Sequence, residues 1–167
     1  MLIRLTKISD QQHGVELVRN DGSRECIDLV TREALVHDFI HYSVEASIPT
    51  QGGFWGVLAS GKSFAEMNDR SGESTREFAE TLMMVEGMVG MMTGVIKGDL
   101  NPAQAIGAIR DYYAGIGQSA PEFLSERFVT DVRENMRKLQ GHWKATPYGE
   151  TMEVVWDETA AASRAAS

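Results

Sequence analysis

Hydrophobic and polar positions alternate near the start of the chain, which is the spacing of a β-strand with one buried face. Three such runs are present, at Leu2–Ile8, Gly14–Arg19 and Arg24–Leu29. An Asp-Gly pair, Asp21-Gly22, lies between the second and third runs and is typical of a hairpin turn. We therefore expect antiparallel strands at the N-terminus.

The spacing then changes to the period of amphipathic helices. Thr31 is suited to start a helix that runs to about Ser47, and the apolar cluster beginning at Phe54 is interpreted as a packed connection. Three further helices are predicted, at Thr75–Lys97, from Pro102 to about Ala114, and from Pro121 to Gly141.

Hydrophobic and polar positions alternate again near the end of the sequence. Segments His142–Thr146 and Glu150–Trp156 flank a Pro-Tyr-Gly turn and predict a second hairpin. Because no βαβ alternation is present, the predicted fold class is α+β, with an antiparallel sheet from the N- and C-terminal hairpins and a helical middle of about four helices. The 167 residues fit a single domain, 1–158, followed by a polar tail, 159–167, that is expected to be disordered.

Charge and composition narrow the classes of partner. A formal net charge of -8 argues against nonspecific binding to nucleic acid or to an anionic membrane, because both require a basic surface. No membrane-spanning helix is expected either, since the most apolar segment, Thr81–Ile96, is short and carries Glu86. Cys26 is the only cysteine, and we interpret it as a packed thiol of a cytoplasmic protein.

The first predicted helix carries the strongest chemical signal. His37, Asp38, His41 and Glu45 share one arc of this helix, and two histidines four residues apart can offer two ligands to one divalent metal ion. The solvent-exposed face of an ordinary surface helix is also polar, so this arc has a purely structural interpretation as well. However, no lysine or arginine follows Arg32 on this helix, which favours a bound cation.

Helix geometry limits which ligands can act together. His37 and Glu45 are about 12 Å apart along the axis, at roughly 1.5 Å per residue, so the usable pairs are His37 with His41 or His41 with Glu45. A third ligand must come from another element. The sequence offers several acidic and histidine side chains without ranking them: Glu86, His142, Asp69, Glu73, Glu77 and His13.

The run from His37 to His41 resembles, in spacing, the HExxH helix of zincin metallopeptidases. The resemblance implies that His37 and His41 bind zinc and that Asp38, in place of the family's glutamate, is the general base. Asp38 departs from the family pattern because its side chain is one methylene shorter. In the gluzincin branch a glutamate on a later helix is the third ligand, and Glu86 lies where such a residue could be.

Glu86 lies on a long helix, on a face shared with apolar residues. We expect an internal ion pair with an arginine such as Arg110 or Arg133, or a helix that exposes this face. The functional alternative is a metal ligand or a proton-transfer group with a raised pKa. The same helix is rich in methionine and carries a stripe of three glycines, Gly87, Gly90 and Gly94. This stripe predicts a closely crossing helix, from the same chain or from the second subunit of a homodimer.

These patterns support two interpretations of function, and neither decides whether the protein is an enzyme. One is a divalent-metal or small-ligand site, with zinc as the favoured ion and hydrolysis as a candidate reaction. It would use His37, His41, Glu45 and Glu86 as ligands, with Asp38 as the catalytic group. The other is a noncatalytic interaction or scaffolding protein that dimerises through the Gly/Met-rich helix.

Overall fold

The computed structural model of the protein describes residues 1–157, and the tail predicted at 159–167 lies outside the described residues. Four strands form one antiparallel sheet in the order β3-β2-β1-β4. Their bounds are Leu2–Lys7 for β1, Gln12–Val18 for β2, Arg24–Val30 for β3 and Thr151–Val155 for β4. The α+β class with an antiparallel sheet is therefore confirmed.

Six α-helices occupy most of the chain between the third and fourth strands. They are α1 (Thr31–Glu45), α2 (Phe54–Ala59), α3 (Phe64–Met67), α4 (Ala79–Lys97), α5 (Pro102–Gly115) and α6 (Glu126–Ala145). A 3-10 turn at Arg76–Phe78 leads into α4. The segment after Phe54, interpreted as a connection, is thus the helix α2.

Helix α1 lies at the centre of the fold. It contacts α2, α4 and α6 as well as strands β2 and β3. Its apolar side chains Leu35, Phe39, Ile40 and Val44 are buried in the core together with Val15 and other inward-facing residues of the sheet. The opposite, polar arc of α1 therefore faces α2 and α4.

The predicted C-terminal hairpin is wrong. His142 to Ala145 form the last turn of α6, and β4 pairs with β1 along its whole length instead of with a local partner. The helix passes through Gly141 because a single helical glycine costs only about 1 kcal/mol, and α6 keeps its apolar stripe beyond that position. The turn into β4 contains Gly149, whose φ of 81° is left-handed.

Two further expectations are corrected. Cys26 is exposed on β3, so it is not a packed thiol. No helix of the same chain crosses the glycine stripe in the described residues, because a Cβ at Gly87 or Gly90 would meet nothing within 4 Å and one at Gly94 would meet only the side chain of Leu100. Gly87 and Gly90 therefore leave an open strip on the surface of α4. The alternative, a crossing helix from a second subunit, stays a prediction.

By length and composition alone, the helical segment Arg76–Lys97 would suffice to cross a membrane. Core helices of soluble proteins meet the same criterion, so this is weak support for a membrane span. In the fold, the apolar side of α4 packs against α1, with Val85, Met88 and Met92 fully buried.

Candidate metal centre

The polar arc of α1 is not a solvated face. His41 is 2% exposed and Glu45 is 1% exposed, whereas His37 reaches the surface. Burying an ionisable group is costly unless it finds a partner. Because α2 and α4 cover this arc, each of the two buried side chains must be satisfied by groups from those helices or from α1 itself.

His41 is held between two carboxylates. Its Nδ1 lies 3.2 Å from Oε1 of Glu45, one helical turn along α1, and its Nε2 lies 3.3 Å from Oε1 of Glu86 on α4. The ring of Phe54 packs against the imidazole at a centroid separation of 5.5 Å. Both ring nitrogens therefore have fixed partners, and the orientation of the ring is determined.

Glu45 is anchored by the start of α2. Its Oε2 accepts hydrogen bonds from the backbone N–H of Trp55 at 2.9 Å and of Gly56 at 3.4 Å. Gly53 makes room for this carboxylate, since a Cβ there would approach it to 2.5 Å. The anchoring residues were missed in the sequence, where the only signal is two glycines followed by an aromatic pair.

Three potential ligands converge on one point. One ligand atom each from His37, His41 and Glu86 lie within 4.8 Å of one another, so the three residues could hold a metal ion. The rings of His37 and His41 are 4.6 Å apart. The pairing of these two histidines expected from their spacing is therefore present, and Glu86 is the third member.

The other predicted site residues lie elsewhere. Glu45 contacts His41 from the side away from the cluster. Among the remaining third-ligand candidates, His13 is buried against Thr31 and Trp143, His142 is exposed at the end of α6, and Asp69 accepts hydrogen bonds from Ser71 and Ser74. None of these joins His37 and His41.

The environment expected for Glu86 is only partly correct. Its partner is His41 and not an arginine, and its side chain is 57% exposed, in line with the alternative that the helix exposes this face. The hydrogen bond to His41 lowers the pKa of Glu86 despite partial burial, whereas a raised pKa was expected. A carboxylate that stays ionised is a better metal ligand than a protonated one.

The carboxylates also set the protonation of the histidines. Burial alone lowers the pKa of His41, but its hydrogen bonds to Glu45 and Glu86 outweigh burial and raise it to about 9. Burial and the nearby positive charge of His41 lower the pKa of His37. Burial raises the pKa of Glu45, although His41 and the N–H groups of α2 oppose this change. Near neutral pH the two carboxylates therefore favour the protonated form of His41 in the metal-free site.

A pocket of about 540 Å³ opens beside the cluster. Side chains from the sheet, α2, α3 and α4 form its apolar walls, and His37, His41 and Glu86 line one side. Asp38 also lines this pocket, and burial raises its pKa to about 6. The volume is within the range of small-molecule sites.

This arrangement has the chemical composition of a metal centre open to a ligand. Two imidazoles and one carboxylate are a common set of protein ligands for catalytic zinc, which keeps a further position for water or substrate. The resemblance to the zincin helix remains limited to the five residues from His37 to His41. No family model, curated protein or solved structure matches the chain.

Proposed function

We propose that the protein binds a divalent metal ion, most plausibly zinc, through His37, His41 and Glu86, and that the ion serves a hydrolytic reaction in the adjoining pocket. The convergence of these three ligand atoms within 4.8 Å is the observation that carries the proposal. Imidazole and carboxylate donors in this ratio suit zinc and other borderline divalent ions.

The spacing of the donors supports the proposal. Two donors bonded to zinc at about 2.0–2.1 Å with a tetrahedral angle lie about 3.3 Å from each other. Nε2 of His41 and Oε1 of Glu86 are 3.3 Å apart. These two side chains could therefore bind an ion with little movement, while the exposed side chain of His37 is free to adjust.

The role of Glu45 also supports the proposal. Metal-binding histidines commonly donate their second ring N–H to a carboxylate, which fixes the tautomer and orients the ring. Glu45 meets this requirement at Nδ1 of His41, which leaves Nε2 to face Glu86 and the pocket. A buried carboxylate in this position has a clear function in a metal site.

Hydrolysis follows from the open side of the cluster. Zinc with three protein ligands binds water in its remaining position and lowers the pKa of that water toward neutrality. The pocket provides space for a substrate next to this position.

Zinc binding to the metal-free protein, measured in competition with a chromogenic chelator, tests the proposal. We expect one zinc per chain for the wild type, and at least about a hundredfold weaker binding for His37→Ala, His41→Ala and Glu86→Gln, because a lost ligand costs more than a lost supporting carboxylate. His142→Ala and Glu80→Gln remove an exposed histidine and an exposed glutamate and should leave zinc binding unchanged.

Three results would overturn the proposal. One is a wild-type protein that binds no divalent ion more tightly than the chelator. The second is zinc binding that survives all three ligand substitutions. The third is an equal loss of binding in the two control variants, which would indicate nonspecific association with surface groups.

A second candidate function, a noncatalytic interaction protein that forms a homodimer, is favoured by a different surface. Met83, Tyr112 and Ile116 are exposed along a groove of about 290 Å³ between α4 and α5. Light scattering over a wide concentration range tests this alternative. If α4 forms the dimer interface, Gly90→Leu should shift the molar mass to the monomer, and a wild-type monomer at all concentrations excludes it.

A further inference from the structure

Asp38 carries a carboxylate that accepts no hydrogen bond from the described residues, and His41 is the nearby positive charge. Its side chain is partly buried, and among residues 1–157 it accepts no hydrogen bond and forms no ion pair, whereas its backbone carbonyl accepts a hydrogen bond from Nε1 of Trp55 at 3.2 Å. Asp38 lines the pocket beside the metal centre but does not belong to the cluster of three ligands. Partial burial among apolar side chains disfavours the ionised carboxylate, and the charge of His41 offsets only part of this effect, so a ligand of opposite charge would lower the cost further.

The walls around Asp38 are apolar and aromatic. Strands β2 and β3 contribute Val15, Ile27 and Leu29, while α2 and α3 contribute Phe54, Trp55 and Phe64. No lysine or arginine is among the side chains that line the pocket in the described part of the chain. Aromatic rings attract organic cations through their faces, and aliphatic side chains provide contact area for an apolar substituent.

We propose that the ligand of this pocket is an organic ammonium ion with an apolar substituent, and that Asp38 is its counter-ion. The inference rests on the proposed function, because the ammonium group and its apolar substituent would be the part of the substrate that the pocket recognises, while a hydrolysable bond elsewhere in the same molecule would face the metal centre. It assigns Asp38 to ligand recognition in place of the general-base role implied by the zincin resemblance.

The charge of the pocket distinguishes the ammonium ion from other ligands of the same size. The positive charge of His41 is already shared by Glu45 and Glu86. No lysine or arginine lines the described pocket, so an anion would meet the carboxylates of Asp38 and Glu86 without a free cationic side chain to receive it. An uncharged molecule could donate a hydrogen bond to Asp38 but would leave the charge of the carboxylate uncompensated. A cation both fills the apolar volume and neutralises that charge.

Calorimetric titration with three probes of similar size tests the proposal: 2-phenylethylammonium, 2-phenylethanol and 3-phenylpropanoate. The titrations use the full chain at about pH 8, above the usual carboxyl range, with and without zinc. We expect the ammonium probe to bind at least about tenfold more tightly than the alcohol, and the carboxylate probe to bind most weakly to the zinc-free protein. Equal affinity for the alcohol and the ammonium probe would overturn the inference.

Two variants separate this inference from the metal proposal. Asp38→Asn keeps the shape of the side chain and should reduce ammonium binding to the level of the alcohol while zinc binding persists. Asp131→Asn, an exposed carboxylate on α6, is the matched control and should retain the preference. The zinc-free wild type should keep the ammonium preference, which separates ligand recognition from metal binding. If Asp38→Asn retains that preference, the counter-ion assignment is wrong, even if zinc binding behaves as proposed.

Discussion

His41 is the residue on which the candidate site depends. It is almost fully buried, and its two ring nitrogens face Glu45 on one side and Glu86 on the other. In the metal-free protein this arrangement stabilises an imidazolium, while with a metal ion it would present one nitrogen as a ligand and use the other as a hydrogen-bond donor. The same contacts thus fit both the metal-free state, in which His41 carries an extra proton, and the metal-bound state, in which the ion replaces that proton.

Glu45→Gln tests the orienting role of Glu45. The amide can still accept hydrogen bonds from the N–H groups of Trp55 and Gly56, but its N–H₂ can also donate to Nδ1 of His41 and so favour the tautomer with the proton on Nε2. We expect about 10–100-fold weaker zinc binding with little loss of fold, measured by chelator competition and circular dichroism. Glu134→Gln on α6 is an exposed control, and equal zinc affinities in all three proteins would contradict the role.

Proton release provides a test at the same residue. Zinc binds neutral imidazole, and the pKa of His41 is raised to about 9, so at neutral pH zinc must displace a proton from His41. The apparent zinc affinity should therefore rise by up to about tenfold per pH unit from neutral pH to about 9 and then level off. Titration calorimetry in buffers of different ionisation enthalpy measures the number of protons that are released when zinc binds. An affinity that does not change over this range would show that His41 is not a ligand.

At the scale of elements, α2 and α4 turn a polar arc of α1 into a site. Helix α2 supplies N–H groups to Glu45, and α4 supplies Glu86 from across the interface. Arg19, the residue that follows β2, ties this region to the sheet, because its guanidinium donates to the carbonyls of Leu58 and Lys62 at 2.7 Å each. The site therefore depends on contacts between elements that are far apart in the sequence.

Glycine substitutions distinguish the tightly packed helix from the open one. A Cβ at Gly56 in α2 would overlap the backbone of Gln51, so Gly56→Ala should destabilise the protein by about 3 kcal/mol. Gly87 in α4 has open space around it, so Gly87→Ala should stabilise the protein by about 0.5–1 kcal/mol through helix propensity. Urea unfolding measures both, and a destabilising Gly87→Ala would indicate that this face of α4 is covered.

At the scale of the whole molecule, the features that were predicted correctly from the sequence are those that depend on local periodicity. The N-terminal strands, α1 and the α+β class follow from spacing and turn residues. The second hairpin failed because the apolar stripe of α6 continues past Gly141, and strand β4 pairs with β1, more than 140 residues away in the chain. Local patterns carry no information about such a partner.

The candidate site shows the same division. The pairing of His37 with His41 can be read from a single helix, as can the contact between His41 and Glu45. The selection of Glu86 over five other candidates depends on how α4 packs against α1, and the burial of the polar arc depends on α2. Neither contact has a signal in the local sequence. The sequence therefore predicts a candidate site on α1 but does not identify all of the residues that form it.

The most direct test of the central claim is anomalous diffraction at the zinc absorption edge, on crystals grown from metal-free protein with one equivalent of zinc. The account predicts one dominant peak, about 2.0–2.2 Å from an imidazole nitrogen of His37, from Nε2 of His41 and from a carboxylate oxygen of Glu86. Density for a further ligand should face the pocket that Asp38 lines. A peak at another position with these three side chains unligated, or no peak at all, would contradict the account.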